Sequence, residues 1–205
     1  MCIYSGQVVD FKFGLTRSSN FTFGHRFFSR EKLTVKSFSD YTSKMFNNKV
    51  MINHISRREE IISQARKIAI SEGLNLVDDQ NLFSELSGLV EWPDALLGTI
   101  DDKFMNLPSE ILGVTIRSQQ KYISLFKGKK ISPKFIVISN IFSKKSRENV
   151  TKGNERVLRA RLSDASFFYK NDCKKGLDYF SQNLSKIVFH RDLGDMSIKV
   201  DRIKV

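Results

Sequence analysis

The spacing of apolar residues changes along this chain, and each spacing predicts a different element. Val9, Phe11 and Phe13 alternate with polar neighbours from Gln7 to Phe13, which predicts a half-buried strand. Phe21-Thr22-Phe23 and Leu33-Thr34-Val35 are shorter strand candidates on either side of Gly24-His25-Arg26-Phe27. From residue 38 to residue 72 the period becomes helical: Phe38, Tyr41, Met45 and Phe46 recur, and Ile61, Ile62, Ala65, Ile68 and Ala69 form an apolar stripe. Ser56-Arg57-Arg58-Glu59 reads as a capping box opening the second of these helices, with Gly73 as its stop. Val50-Met51-Ile52 is strand-like between them, and Asp79 caps a third helix carrying Leu82, Phe83, Leu86 and Val90.

A second group of elements follows. Ala95 to Ile100 reads as a strand, and Pro108 suits the first position of a helix bearing Ile111, Leu112, Thr115 and Ile116. Tyr122–Phe126 and Phe135–Ser139, joined across Lys127-Gly128-Lys129-Lys130, read as a hairpin. Helices interleaved with strands predict an α+β fold, a mixed sheet with packed helices, over residues 1–143. Residues 144–205 read as a C-terminal helical segment: one long helix with Leu158, Leu162, Ala165 and Tyr169 on a shared face, then a second over Leu177–Phe189.

Composition narrows the function classes. No window approaches the roughly 20 consecutive apolar residues that span a bilayer, and Met1–Gln7 lacks the basic and apolar regions of a secretory signal. Cys2 and Cys173 are too few for a disulfide framework or a thiolate zinc site, so a reducing compartment is expected and the three Asn-X-Ser/Thr sequons carry no meaning. The formal net charge is +12, which points to a polyanionic partner, nucleic acid before membrane. Half of that excess lies between Lys144 and Lys175, where ten basic residues face four acidic ones. Lys152, Arg156 and Arg159 share a helical face by their spacing, and guanidinium forks suit phosphate. Lys144, Lys145, Arg147, Lys152, Arg156, Arg159 and Arg161 are therefore the candidate RNA-binding residues; the bland alternative is a solvated helix face.

Self-sufficient catalysis is not expected. Neither glycine-rich phosphate loop occurs. His25, His54 and His190 are scattered, and His190-Arg191-Asp192-Leu193 lacks everything else that a kinase catalytic loop needs. Asp78-Asp79 and Asp101-Asp102 read as caps and turns rather than cation sites, because neighbouring side chains point apart. Trp92 beside Pro93 reads as a core anchor. No catalytic residue, bound cofactor or metal is expected on this chain.

Two longer stretches carry a resemblance. Glu91-Trp92-Pro93-Asp94-Ala95-Leu96-Leu97-Gly98 and the thirteen residues from Gly153 to Ala165 resemble signatures of the beta subunit of the heterotetrameric, bacterial-type glycine-tRNA ligase (glycyl-tRNA synthetase) family. Gly24-His25-Arg26-Phe27, Gln119-Gln120-Lys121-Tyr122, Phe135 to Asn140 and Val188-Phe189-His190 follow the same pattern in order. The resemblance implies a division of labour. The alpha subunit holds the class II site that activates glycine with ATP, while the beta subunit binds and positions tRNA(Gly), in the cytoplasm. Partners are then the alpha subunit, tRNA(Gly) and the remaining beta-subunit regions, and residues 1–143 should resemble the tRNA-binding and editing-type domain of synthetase beta chains. Beta subunits of the family are far longer, with an HD-type and an anticodon-binding domain beyond the match, and Met1-Cys2-Ile3-Tyr4 departs from their usual lead-in. The chain thus reads as a fragment, a split-gene product or a decayed gene. A stand-alone RNA-binding module or a non-functional remnant is the alternative. A third reading is structural: the Gly153 helix packs on another helix with its arginines paired to Asp or Glu within the protein, and Arg156 buried beside a carboxylate would be its mark.

Overall fold

The computed structural model describes residues 1–141 and 143–204, with Phe142, Val205 and the side chains of Lys144 and Lys145 outside that description. The chain divides into two compact units, Met1–Arg159 and Ala160–Val205. The expected division at 143/144 coincides with the start of a long helix, whereas the compact units part within that helix.

The first unit opens with three two-stranded hairpins: β1 (Ile3–Tyr4) with β2 (Gln7–Val8), β3 (Lys12–Phe13) with β4 (Thr16–Arg17), and β5 (Phe21–Phe23) with β6 (Lys32–Thr34). The single strand expected over residues 7–13 is thus divided between β2 and β3. Turns with left-handed backbone at Ser5-Gly6 and at Gly14 flank the segment, and its two ends pair in different hairpins, leaving residues 9–11 outside both ladders. Val9, Phe11 and Phe13 are exposed rather than half-buried. The strands expected around residues 21–23 and 33–35 are present as β5 and β6.

Helix α1 (Phe38–Asn47) is capped by Ser37, whose hydroxyl accepts from the Asp40 N–H. Helix α2 (His54–Ser71) starts earlier than the expected Ser56: the Asn53 side chain accepts from the Ile55 and Ser56 amides and serves as its cap. The early start also places Arg57 where it donates to the Met51, Ile52 and Ser87 carbonyls. Residues 50–52 are consequently an irregular extended segment, not a strand, tied to Glu91 through the Met51 amide.

The central sheet contains β7 (Asn75–Leu76), β8 (Asp94–Thr99), β9 (Ile123–Lys127) and β10 (Lys130–Ser139) in the order β7-β9-β10-β8. All three pairings are antiparallel. The α+β class holds, but the sheet is not the mixed one expected from interleaved helices. The β9–β10 hairpin occupies the middle, and β7 and β8 flank it without a parallel crossover between neighbours. Helix α3 (Gln80–Leu89) lies between β7 and β8 in sequence, and Asp79 caps it through the Leu82 amide, as expected. The periodicity of α2 and α3 then has a simple outcome: Ile61, Ala65, Ala69, Leu82, Phe83 and Leu86 pack on Ala95, Ile123, Leu125 and Ile136, one face of the sheet.

Alternation sends Asp94, Leu96, Phe135 and Val137 to the opposite face. Tyr122 stacks on the Phe135 ring there, with centroids 4.9 Å apart. Gly98 lies flat beneath that ring; a Cβ at this position would stand 2.5 Å from the Phe135 Cζ. Helix α4 (Ser109–Gly113), with Pro108 as its N-cap rather than its first residue, runs into a π-helical turn over Val114–Gln119. Trp92 is half-buried, edge-on to Phe46 at 5.2 Å, while Asn140 Oδ1 accepts from the Glu91 and Trp92 amides.

Helix α5 (Lys144–Ser181) is the expected long helix, broken at Gly176 where φ is 73°. In the second unit it is followed by a hairpin of β11 (Val188–His190) and β12 (Gly194–Asp195) and by α6 (Met196–Ile203). The helix expected over Leu177–Phe189 therefore stops at Ser181; the β-branched and aromatic run Val188-Phe189 pairs as a strand instead. Leu162 alone among the described residues of this unit is fully buried.

Candidate nucleic-acid interface

The part of α5 that belongs to the first unit begins at a serine cap, Ser143 Oγ accepting from the Ser146 amide. Four of its residues then reach β8 or the residues that flank the sheet strands. Arg147 donates from Nε and Nη2 to both oxygens of Asp94, at 3.0 and 2.7 Å. The Asn154 side chain accepts from the Tyr122 hydroxyl at 2.6 Å. Glu155 Oε1 accepts from both the amide and the hydroxyl of Thr99, each at 2.8 Å. Arg159 makes a two-pronged contact with Asp101 at 2.8 and 3.0 Å. Leu158 is buried among these anchors. Arg147 and the block that opens at Gly153 thus hold the helix against β8 and its flanking residues; the pairing of Arg147 and Arg159 to aspartates agrees with the structural reading, but the contact is with the sheet rather than another helix, and Arg156 is exposed rather than buried beside a carboxylate.

The electrostatics of the two arginine pairs differ. Asp101 is solvent-accessible, and its hydrogen bonds from Arg159 hold its carboxyl below the ordinary carboxylate range, while Arg159 is pushed up in turn. Asp94 is mostly buried, so loss of hydration pushes its pKa up and outweighs the opposing pull of Arg147. The first pair is an ordinary surface ion pair of small energetic weight. The second holds a desolvated carboxylate in place and is costly to break.

The candidate residues consequently divide. Arg147 and Arg159 are committed to aspartates. Lys152 pairs with Glu148 at 2.6 Å one turn earlier on the exposed surface, a contact that lowers the Glu148 pKa. Arg156 is exposed and has no carboxylate within ion-pair distance among the described residues. Arg161, at the start of the second unit, is exposed and likewise unpaired among them. The side chains of Lys144 and Lys145 lie outside the described residues. The shared face expected for Lys152, Arg156 and Arg159 is real as helix geometry, but Arg156 is its only member without an ion pair among the described residues.

Sequence reasoning passed over two features. Lys127, Lys129 and Lys130 at the β9–β10 turn are exposed and unpaired among the described residues; they read as turn residues because the hairpin explained them. Asp94, just before the expected strand, and Asp101, read as a cap or turn residue, are the arginines' partners across 53 and 58 residues of chain.

Gly153 provides a check on the helix itself. It lies in the α5 interior with open space where a Cβ would be. Gly153→Ala should raise stability by about 0.5–1 kcal/mol, measured by urea unfolding, because alanine loses less backbone freedom on folding.

A family model for the glycyl-tRNA synthetase beta subunit matches residues 1–205. The chain belongs to this glycine-tRNA ligase beta-subunit family of aminoacyl-tRNA synthetases. Among similar proteins, the glycine-tRNA ligase beta subunit of Rickettsia akari (strain Hartford) is 40% identical over 205 residues, which is 99% of this chain and 31% of the relative. The beta subunit of Rhodospirillum centenum (strain ATCC 51521 / SW) is 43% identical over 189 residues, 92% of this chain and 26% of the relative. That of Rickettsia prowazekii (strain Madrid E) is 38% identical over 205 residues, 99% of this chain and 30% of the relative. The chain therefore spans less than a third of the length of these curated relatives. Among the described residues no helix is long and apolar enough to cross a membrane, and no three His, Cys, Asp or Glu residues are grouped as metal ligands would be.

Proposed function

We propose that the chain is a beta-subunit segment that helps hold tRNA(Gly) for glycyl-tRNA synthesis, in the cytoplasm, with an alpha subunit that binds ATP and carries out the chemistry. The supporting observation is family membership along the whole chain, joined to a net charge of +12 with unpaired cations on exposed elements. The mechanism is electrostatic. Arg156, Arg161 and Lys152, whose surface pair with Glu148 exchanges readily for phosphate, neutralise backbone phosphates and release counterions. Lys144 and Lys145 remain candidates for the same role. Arg147 and Arg159 support the segment indirectly, by fixing α5 on the sheet. No residue of this chain is assigned to the reaction itself, so the remaining beta-subunit regions and the alpha subunit complete the enzyme.

A charging assay tests the partnership. The alpha subunit, this chain and the missing beta-subunit regions are combined, and glycylation of tRNA(Gly) is followed. The expected result is co-purification of the chain with the other parts and charging that falls when the chain is omitted. Charging that is indifferent to the chain would leave the stand-alone or remnant reading in its place.

A further inference from the structure

The first unit contains a cavity that the proposed tRNA role does not use. It has a volume of about 370 Å³ and sits where the N-terminal end of α3, the π-helical turn and the β9–β10 hairpin meet. Its lining is mostly apolar and includes Val77, Leu82, Val114, Ile123, Phe126 and Ile131, of which Phe126 and Ile131 are cross-strand partners on the sheet face away from α2 and α3. That size and character match sites for small organic molecules, which combine an apolar lining with a few polar groups that orient the ligand. The π-helical turn contributes Val114, Arg117 and Ser118. Such turns carry an extra residue, strain the helix, and recur at functional sites.

The charges at this cavity decide what it would accept. Arg117 is already satisfied: its Nε and Nη2 both donate to Asp79, the N-cap of α3, and the pairing pulls the Asp79 pKa down and the Arg117 pKa up. An anionic ligand would have to displace Asp79. Glu110, on α4, is exposed and has no cation within ion-pair distance among the described residues; its hydrogen-bond partner there is the Ser109 hydroxyl at 3.2 Å. The unspent charge of the lining is therefore negative, and Phe126 adds an aromatic side chain to the same lining.

We propose that this cavity binds a small amphipathic amine: an apolar, preferably aromatic, body against Val114, Phe126 and Ile131, with a primary ammonium paired to Glu110. The proposal is independent of tRNA binding, and its failure would leave that reading untouched.

The test uses the full chain and phenethylamine as the probe, followed by amide chemical shifts in a two-dimensional NMR titration. The neutral isostere 2-phenylethanol and the anion phenylacetate serve as controls. Saturable shifts are expected with phenethylamine at the Val114, Ser118 and Ile123 amides, with binding about tenfold weaker for phenylacetate. Glu110→Gln should weaken phenethylamine about two- to fivefold while leaving 2-phenylethanol unchanged. Val114→Trp should block both; Val114 is 54% exposed, so the added ring can enter the cavity without displacing core, and a thermal melt confirms that the variant folds. If phenethylamine does not saturate, if phenylacetate binds as tightly, or if Glu110→Gln leaves the amine's affinity unchanged, the proposal fails. Shifts from any probe that persist in a folded Val114→Trp variant would place binding elsewhere and overturn it equally.

Discussion

Phe83→Ala should destabilise the first unit by about 3–5 kcal/mol, the cost of losing a buried aromatic side chain and leaving a cavity. Phe83 is fully buried on α3 and belongs to the cluster that joins α2 and α3 to the sheet. Domains have about 5–15 kcal/mol of total stability, so this one change removes a large fraction of it. Urea unfolding monitored by circular dichroism reads the effect as a lower midpoint at unchanged slope. A loss below about 1 kcal/mol would mean that α3 does not pack against β8, β9 and β10 as described.

The second large effect concerns a residue that sequence reasoning placed among the RNA contacts. Arg147→Ala should cost about 1–2 kcal/mol near neutral pH, because Asp94 is left as a mostly buried carboxylate without its cation; Arg147 is itself half-exposed, which limits the loss. Burial raises the Asp94 pKa above its ordinary value of 3.8 in the folded chain. The stability associated with its protonated form is fully present below 3.8 and is lost as pH rises through the folded value. The Arg147→Ala penalty should therefore shrink on acidification, as Asp94 becomes neutral. Adding Asp94→Asn should recover most of the neutral-pH loss, and the double-mutant cycle measures the coupling. If Arg147→Ala leaves stability unchanged, the pair does not anchor α5, and Arg147 returns to the set of free cations.

Local pattern was enough for elements whose burial is one-sided. The stripes of α2 and α3 could be read directly, because each helix buries one face and its periodicity records that face; β8 and β10, buried on both faces, were legible instead as short continuous apolar runs. The pattern misled where the expected partner layer is missing: Val9, Phe11 and Phe13 alternate as a strand should, yet the segment pairs only at its two ends, in separate hairpins, and those side chains are exposed. Val188-Phe189 continued a helical spacing but is a strand. The candidate interface was legible as a charged helical face. Which of its cations are already paired was not, because Asp94 and Asp101 reach α5 only after the sheet has folded. The cavity beside the π-helical turn left no linear signature, since it depends on residues from α3, α4 and the central hairpin together.

The most direct test of the proposed role is a filter-binding titration of the chain with tRNA across several monovalent salt concentrations. Neutralisation of about three phosphates should give a slope of about −2 to −2.7 in log affinity against log salt. Arg156→Glu should bring that slope about one unit closer to zero, and Arg159→Gln should change it little, since Arg159 is held by Asp101. A slope near zero, or an affinity and slope unaffected by Arg156→Glu, would contradict the assignment of α5 as a tRNA-backbone contact.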